Sequence, residues 1–166
     1  MKVIKKIFVF IAIAGSFFVG SNAFAQGGNT ASDTGTATAS VIASLSLTNT
    51  ADLAFGEGIR QDAALTVAPA SGGTFTVTGE PLRFYNVTVP ADATVYVYIG
   101  TGSTAQEKIW MSAFNFSTSE LSSTTQGQLS AGGTDTISVG ATRDAILGNQ
   151  VTGAYTGPYT VSVIYQ

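Results

Sequence analysis

Between residues 36 and 47 the chain alternates with a period of two. Ala37, Ala39, Val41, Ala43, Leu45 and Leu47 fall on one side, and Thr36, Thr38, Ser40, Ile42, Ser44 and Ser46 on the other. A strand sends successive side chains to opposite faces, so the pattern predicts a β-strand with a small, mostly apolar face. Shorter runs of the same kind recur about every ten residues. Phe75 and Val77 share a face in 74–78, and Tyr85, Val87 and Val89 in 84–89. In 94–99, Val95, Val97 and Ile99 oppose Tyr96 and Tyr98, which predicts a central strand covered on both faces. Trp110, Phe114 and Phe116 are in phase across 108–116, Ile137 and Val139 in 134–139, and Tyr159, Val161, Val163 and Tyr165 in 159–165. "PASGG", "TGEP" and "PADA" supply turns between these runs. Residues 64–69 read as a short strand, 144–147 as a short strand or turn, and 117–133 as a long polar connection. Strands at this spacing, with no amphipathic helix between them, predict an all-β fold: one immunoglobulin-like antiparallel β-sandwich over 36–166.

The start of the chain reads differently. Lys2, Lys5 and Lys6 precede an apolar run at 7–14, and a second patch at 17–20 leads to Ala23-Phe24-Ala25. A basic start, a short apolar core and a small-x-small site predict a signal peptide over 1–25. The core is short for a bilayer span, which takes about 20 residues. The protein is therefore expected to be exported, to the periplasm, the cell surface or the medium. Residues 26–35 are small and polar without periodicity, and are expected to form a flexible N-terminal extension.

Removal of 1–25 leaves four basic side chains, Arg60, Arg83, Lys108 and Arg143, against ten acidic ones, a net charge of −6. No basic patch is available to neutralise phosphates, so no nucleic-acid partner is expected. Cysteine and histidine are both absent. That removes disulfides, the usual zinc, haem and iron–sulfur ligands, and the base or nucleophile of serine and cysteine triads. Asp52, Glu57, Asp135 and Asp144 lie near turns, where solvated acids ordinarily sit. "GTGSTA" at 100–105 spells a dinucleotide fingerprint, but no helix follows to present its N-terminus, so a hairpin loop is expected. The chain is expected to be no enzyme and to use no cofactor and no metal.

The two ends hold the remaining signal. Exposed strand edges invite pairing and are normally blunted by Lys, Pro or bulges. Residues 159–165 and 36–47 carry no charged side chain. A free arm followed by an alternating segment is suited to completing a neighbour's sheet by β-augmentation. On this reading Ala37, Ala39 and Val41 belong to a donor strand, and Tyr159, Val161, Val163 and Tyr165 to the strand that receives one. The expectation is a structural subunit of a fimbria-like or surface assembly that polymerises by strand exchange. The rival expectation is a self-complete secreted binding module, for example for sugars, with Trp110 and the tyrosines as contacts.

The tail resembles that of chaperone–usher pilin subunits. Tyr165 is the penultimate residue and Gly153 is the fourteenth from the end, as an aromatic and a glycine are in that family. The resemblance adds Gly153 to the receiving strand. It implies partners: other subunits of the same assembly, a periplasmic chaperone that grips the last strand, and an outer-membrane usher. Two departures stand against it, the missing disulfide and an arm less hydrophobic than a pilin's. A wider resemblance rests on Leu53-Ala54-Phe55-Gly56, on Phe75-Thr76-Val77-Thr78-Gly79 and on Gly153-x-Tyr155-x-Gly157. These are similar to the secreted family called domain of unknown function 4402 and, distantly, to spore coat protein U-like domains. That likeness implies an exported β-sandwich and no particular chemistry.

Overall fold

The structure, a computed structural model, describes residues 31–121 and 123–166. The predicted signal peptide and the first part of the extension lie outside the described residues. Residues 31–39 carry no regular structure and are exposed. Ser40–Gln166 forms a compact unit of its own.

That unit is all-β, with two antiparallel sheets stacked as a sandwich. In chain order the strands are β1 (Ser46–Ala51), β2 (Leu65–Val67), β3 (Gly73–Thr78), β4 (Phe84–Thr88), β5 (Val95–Tyr98), β6 (Lys108–Thr118), β7 (Gln126–Gln128), β8 (Thr134–Arg143) and β9 (Ser162–Tyr165). The larger sheet runs β1-β3-β8-β6-β5, with β2 beside the far half of β8; the smaller one is β7-β4-β9. β1 and β9 are therefore both edge strands, one in each sheet.

The alternating residues bury as a two-residue period demands. In β3, Phe75 and Val77 point inward, and in β8 so do Asp135, Ile137, Val139, Ala141 and Arg143. Tyr85 from β4 meets them from the smaller sheet. Val77, Tyr85, Leu129, Ile137 and Val139 are fully buried, and Phe75, Phe116 and Val161 complete the core. Each large apolar side chain removed from water here contributes about 1.5–3 kcal/mol. One polar contact crosses the core: the Tyr85 hydroxyl donates to the Asp135 carboxylate at 2.8 Å. Gly127 on β7 lies behind the Tyr85 ring, and a Cβ there would collide with it.

Five expectations are corrected. The strand predicted over 36–47 begins only at Ser46; residues 36–45 belong to no strand. Alternation makes a segment competent to pair, but faces of Ala, Ser and Thr bury little area, and only Leu45 and Leu47 pack on the core. β5 is an edge strand, not a central one: it ends the sheet order, and Tyr96 packs against Trp110 and Tyr98 against Tyr96 on an outer face. Trp110 is out of phase with Phe114 and Phe116: it is 40% exposed, while Ile109 and Met111 point inward. A bulge between Ser112 and Asn115 flips the phase of β6. It is held by Ala113 at positive φ, whose N–H donates to the Asp92 carboxylate at 2.5 Å. Finally, the polar connection over 117–133 contains β7, and β9 starts at Ser162 rather than at Tyr159.

Candidate functional site

The smaller sheet covers only part of the larger one. The ends of β5, β6 and β8 that lie beyond it are roofed by coil. A cleft of about 1290 Å³ opens there. Val97, Ile109 and Arg143 contribute to its floor from the three strands, and residues 53–60 and 150–155 form its walls. A smaller cavity of about 240 Å³ shares Leu53, Phe55, Val97 and Tyr155 with it and reaches Tyr159. Together they mark a seam between the segment that follows β1 and the segment that leads to β9.

The 150–155 wall is built by specific bonds. Gln150 is 3% exposed, and its amide donates to the Lys108 carbonyl at 2.8 Å. The Val151 N–H donates to the Gln106 carbonyl at 2.9 Å. The Tyr155 hydroxyl lies 2.9 Å from the Gln106 carbonyl and 2.7 Å from that of Val151. A two-way bridge between Tyr98 and Thr156 fastens the wall to β5. The 53–60 wall is held at its far end, where Gln61 and Asp62 exchange backbone bonds with Ile146.

Charge in the cleft is mixed. Glu57, Arg60, Asp62 and Arg143 all line it. The Asp62 carboxylate accepts the Ile59 N–H at 2.8 Å, and Arg60 Nε donates to the Gln150 carbonyl at 2.7 Å. Arg143 is 7% exposed and, among the described residues, its side chain donates once, from Nη1 to the Asp144 carbonyl at 3.0 Å. At the other end of the seam the Tyr159 hydroxyl is buried with no hydrogen-bond partner among the described residues. Burial, and then the negative charge of Asp52, raise its pKa. Among the described residues no group of three acidic side chains gathers closely enough to hold a metal ion.

The residues singled out from the sequence fall into three places. Ala37 and Ala39 lie in the exposed 31–39 segment. Val41 lies at the start of the compact unit and is 97% exposed. Gly153 is not in a strand; it sits in the cleft wall at φ 142°, with Ile99 Cδ1 where a Cβ would stand. Tyr159, Val161, Val163 and Tyr165 come together and face their own core. What β9 leaves open is its backbone edge, since it pairs only with β4. The Tyr165 hydroxyl donates to the Ala43 carbonyl at 3.0 Å and accepts the Glu80 N–H at 2.6 Å, tying the last strand to the approach to β1.

The family model for Domain of unknown function (DUF4402) matches residues 62–165. The chain belongs to that family. The span matched to domain of unknown function 4402 contains the cleft floor, Arg143 and the 150–155 wall; Leu53–Gly56 and the alternating arm precede it. No curated protein and no solved structure matched the chain.

Two site residues escaped the sequence reading. Ending the strand at Val139 cut off Ala141 and Arg143, which continue the same inward row. Following the period two steps further places a guanidinium on a buried face, and that conflict was the available signal. Gln150 offered none, because its role depends on a carbonyl 42 residues away.

Proposed function

We propose that this protein is an exported structural subunit of a fimbria-like or surface assembly, and that copies join by strand exchange. The observation that carries the reading is Val41. It sits in the best strand pattern of the sequence, yet it is 97% exposed, and residues 36–45 have no strand partner among the described residues. A segment with strand periodicity and no strand to pair with is a donor in search of a sheet. What would serve as a receiver is the open β9 edge, continuing into a cleft whose lining is part apolar and part charged. Other copies of the chain are the partners, and a periplasmic chaperone and an outer-membrane usher would protect the seam before assembly.

Deletion of residues 26–40 tests this. The shortened chain is expected to fold, with an unchanged thermal melt, and to form no polymer by size exclusion or electron microscopy. Fibres from the shortened chain overturn the proposal.

A second reading has its own support. Tyr96, Tyr98 and Trp110 form an aromatic strip on the outer face of the β5–β6 hairpin, with Tyr98 38% and Trp110 40% exposed. Such rings stack on sugars, which would make the protein a secreted carbohydrate-binding module. A stable monomer whose binding to a glycan array is lost on Trp110→Ala would favour this over assembly.

A further inference from the structure

The inward row of β8 has a charge at each end, and the two are treated differently. Asp135 is 3% exposed and accepts hydrogen bonds from Tyr85, Ser119, Glu120 and Thr136. Arg143, 7% exposed, gives one hydrogen bond, and among the described residues its Nε and Nη2 give none. These nitrogens are not sealed from solvent, and their planar fork matches a carboxylate. Among the described residues no carboxylate hydrogen-bonds to them: the Asp62 carboxylate accepts the Ile59 N–H, and Glu57 stands in an exposed wall. The cleft is open in front of it.

A carboxylate is available on the arm. Asp33 is the sole charged residue between positions 26 and 51. It has the same parity as Ala37, Ala39 and Val41, so in an extended arm it lies on their face. From residue 43 onward the chain is held by its own unit. The Ala43 N–H donates to Glu80 at 3.0 Å, its carbonyl accepts from Tyr165, and Leu45 packs on the core. The stretch from 33 to 43 spans about 33 Å when extended, enough to reach into a neighbour. An arm of repeated Ala, Ser and Thr specifies register poorly, because a slip of two residues presents almost the same face. One charge on that face removes the ambiguity.

We infer that the Arg143 guanidinium receives the Asp33 carboxylate of a second copy of this chain, whose arm lies extended in the cleft. This rests on the strand-exchange reading and adds a register pin to it. The pin leaves each incoming strand a single position.

The test is titration of the full chain, freed of residues 1–25, into a fluorescent peptide of residues 31–41, read by anisotropy. The wild-type peptide is expected to bind, and Asp33→Asn to weaken it by about 30-fold or more. A peptide with Ser32→Asp and Asp33→Ser, which moves the carboxylate to the opposite face, is expected to bind no better than Asp33→Asn. Arg143→Gln in the protein is expected to erase the difference between the peptides. If that variant does not fold, the three peptides on the wild-type chain still decide. Equal binding of all three overturns the pin, leaves Arg143 to a free carboxylate, and leaves strand exchange standing. No binding by any peptide overturns both.

Discussion

The two halves of the sandwich interior share strands but not fates. Where the smaller sheet covers the larger, β8 presents Asp135, Ile137 and Val139 to Tyr85 and Leu129, and nothing is left open. Where coil replaces the smaller sheet, the same strand presents Ala141 and Arg143 to a cleft of about 1290 Å³. The first half is held by close packing and a satisfied buried carboxylate. The second is held at its rim, by Gln150, Tyr155 and the Thr156 bridge, and keeps its middle free. Stability is therefore concentrated in one half, and the open space in the other.

The sharpest way to break that contrast is to remove the Tyr85 ring. Tyr85→Ala deletes a fully buried aromatic and leaves Asp135 Oδ2 without its donor, so the loss should be about 4 kcal/mol or more. Urea unfolding checks it. A loss below about 1 kcal/mol would mean that the covered half is not the stable one. Matched deletions sharpen the point. Ile137→Ala should cost about 3 kcal/mol, because close-packed neighbours cannot fill the void. Ile146→Ala, in the cleft lining, should cost about 1 kcal/mol or less, since one side of it already lacks contact atoms. Equal costs for the two isoleucines would erase the distinction.

Alkaline pH probes the same halves. Burial first, then the hydrogen bond to Asp135 and its charge, raise the Tyr85 pKa far above the ordinary value near 10. The proton is thus held more tightly in the folded state than in the unfolded chain. The resulting stability is fully present below about pH 10 and is lost as the pH rises towards the folded value. The slope above pH 10 is at most about 1.4 kcal/mol per pH unit for this group. Tyr85→Phe should flatten it, as read from urea midpoints between pH 9 and 11. Tyr159, whose pKa is also raised, contributes in the same direction from the open half.

How much of this was legible follows from the reach of each signal. The inward rows of β3, β4 and β8 are local two-residue patterns carried by large side chains, so the covered half and its sandwich could be read directly. β6 was misread because Ile109 and Met111 argue for odd positions inward and Phe114 and Phe116 for even ones. That conflict is itself the mark of a bulge. β7, with the sequence Gln-Gly-Gln, carries no apolar signal; it exists because Tyr85 needs a strand without a Cβ beside its ring. The open half is made by contacts distant in sequence, such as Gln150 with Lys108 and Ile146 with Asp62. No window of ten residues contains them. Arg143 was reachable in principle, as the continuation of an apolar period into a charge.

The smallest expected effect is the most discriminating one, because it turns on hydroxyl groups alone. Tyr165 and Tyr159 belong to one aromatic series and differ in where their oxygens end. The Tyr165 hydroxyl makes two bonds, to Ala43 and from Glu80, so Tyr165→Phe leaves a carbonyl and an N–H short of a partner and should cost about 1–2 kcal/mol. Among the described residues the Tyr159 hydroxyl makes none while buried beside Phe75 and Phe114. Tyr159→Phe removes an unmet desolvation cost and nothing else, so it should be neutral or stabilising by up to about 1 kcal/mol. That hydroxyl lies where the smaller cavity meets the seam. If strand exchange brings a backbone acceptor to it, Tyr159→Phe should leave the free subunit no weaker and yet loosen the assembled polymer. Thermal melts of monomer and polymer for the same variant separate the two effects, and a variant that weakens both equally would return Tyr159 to the packed core.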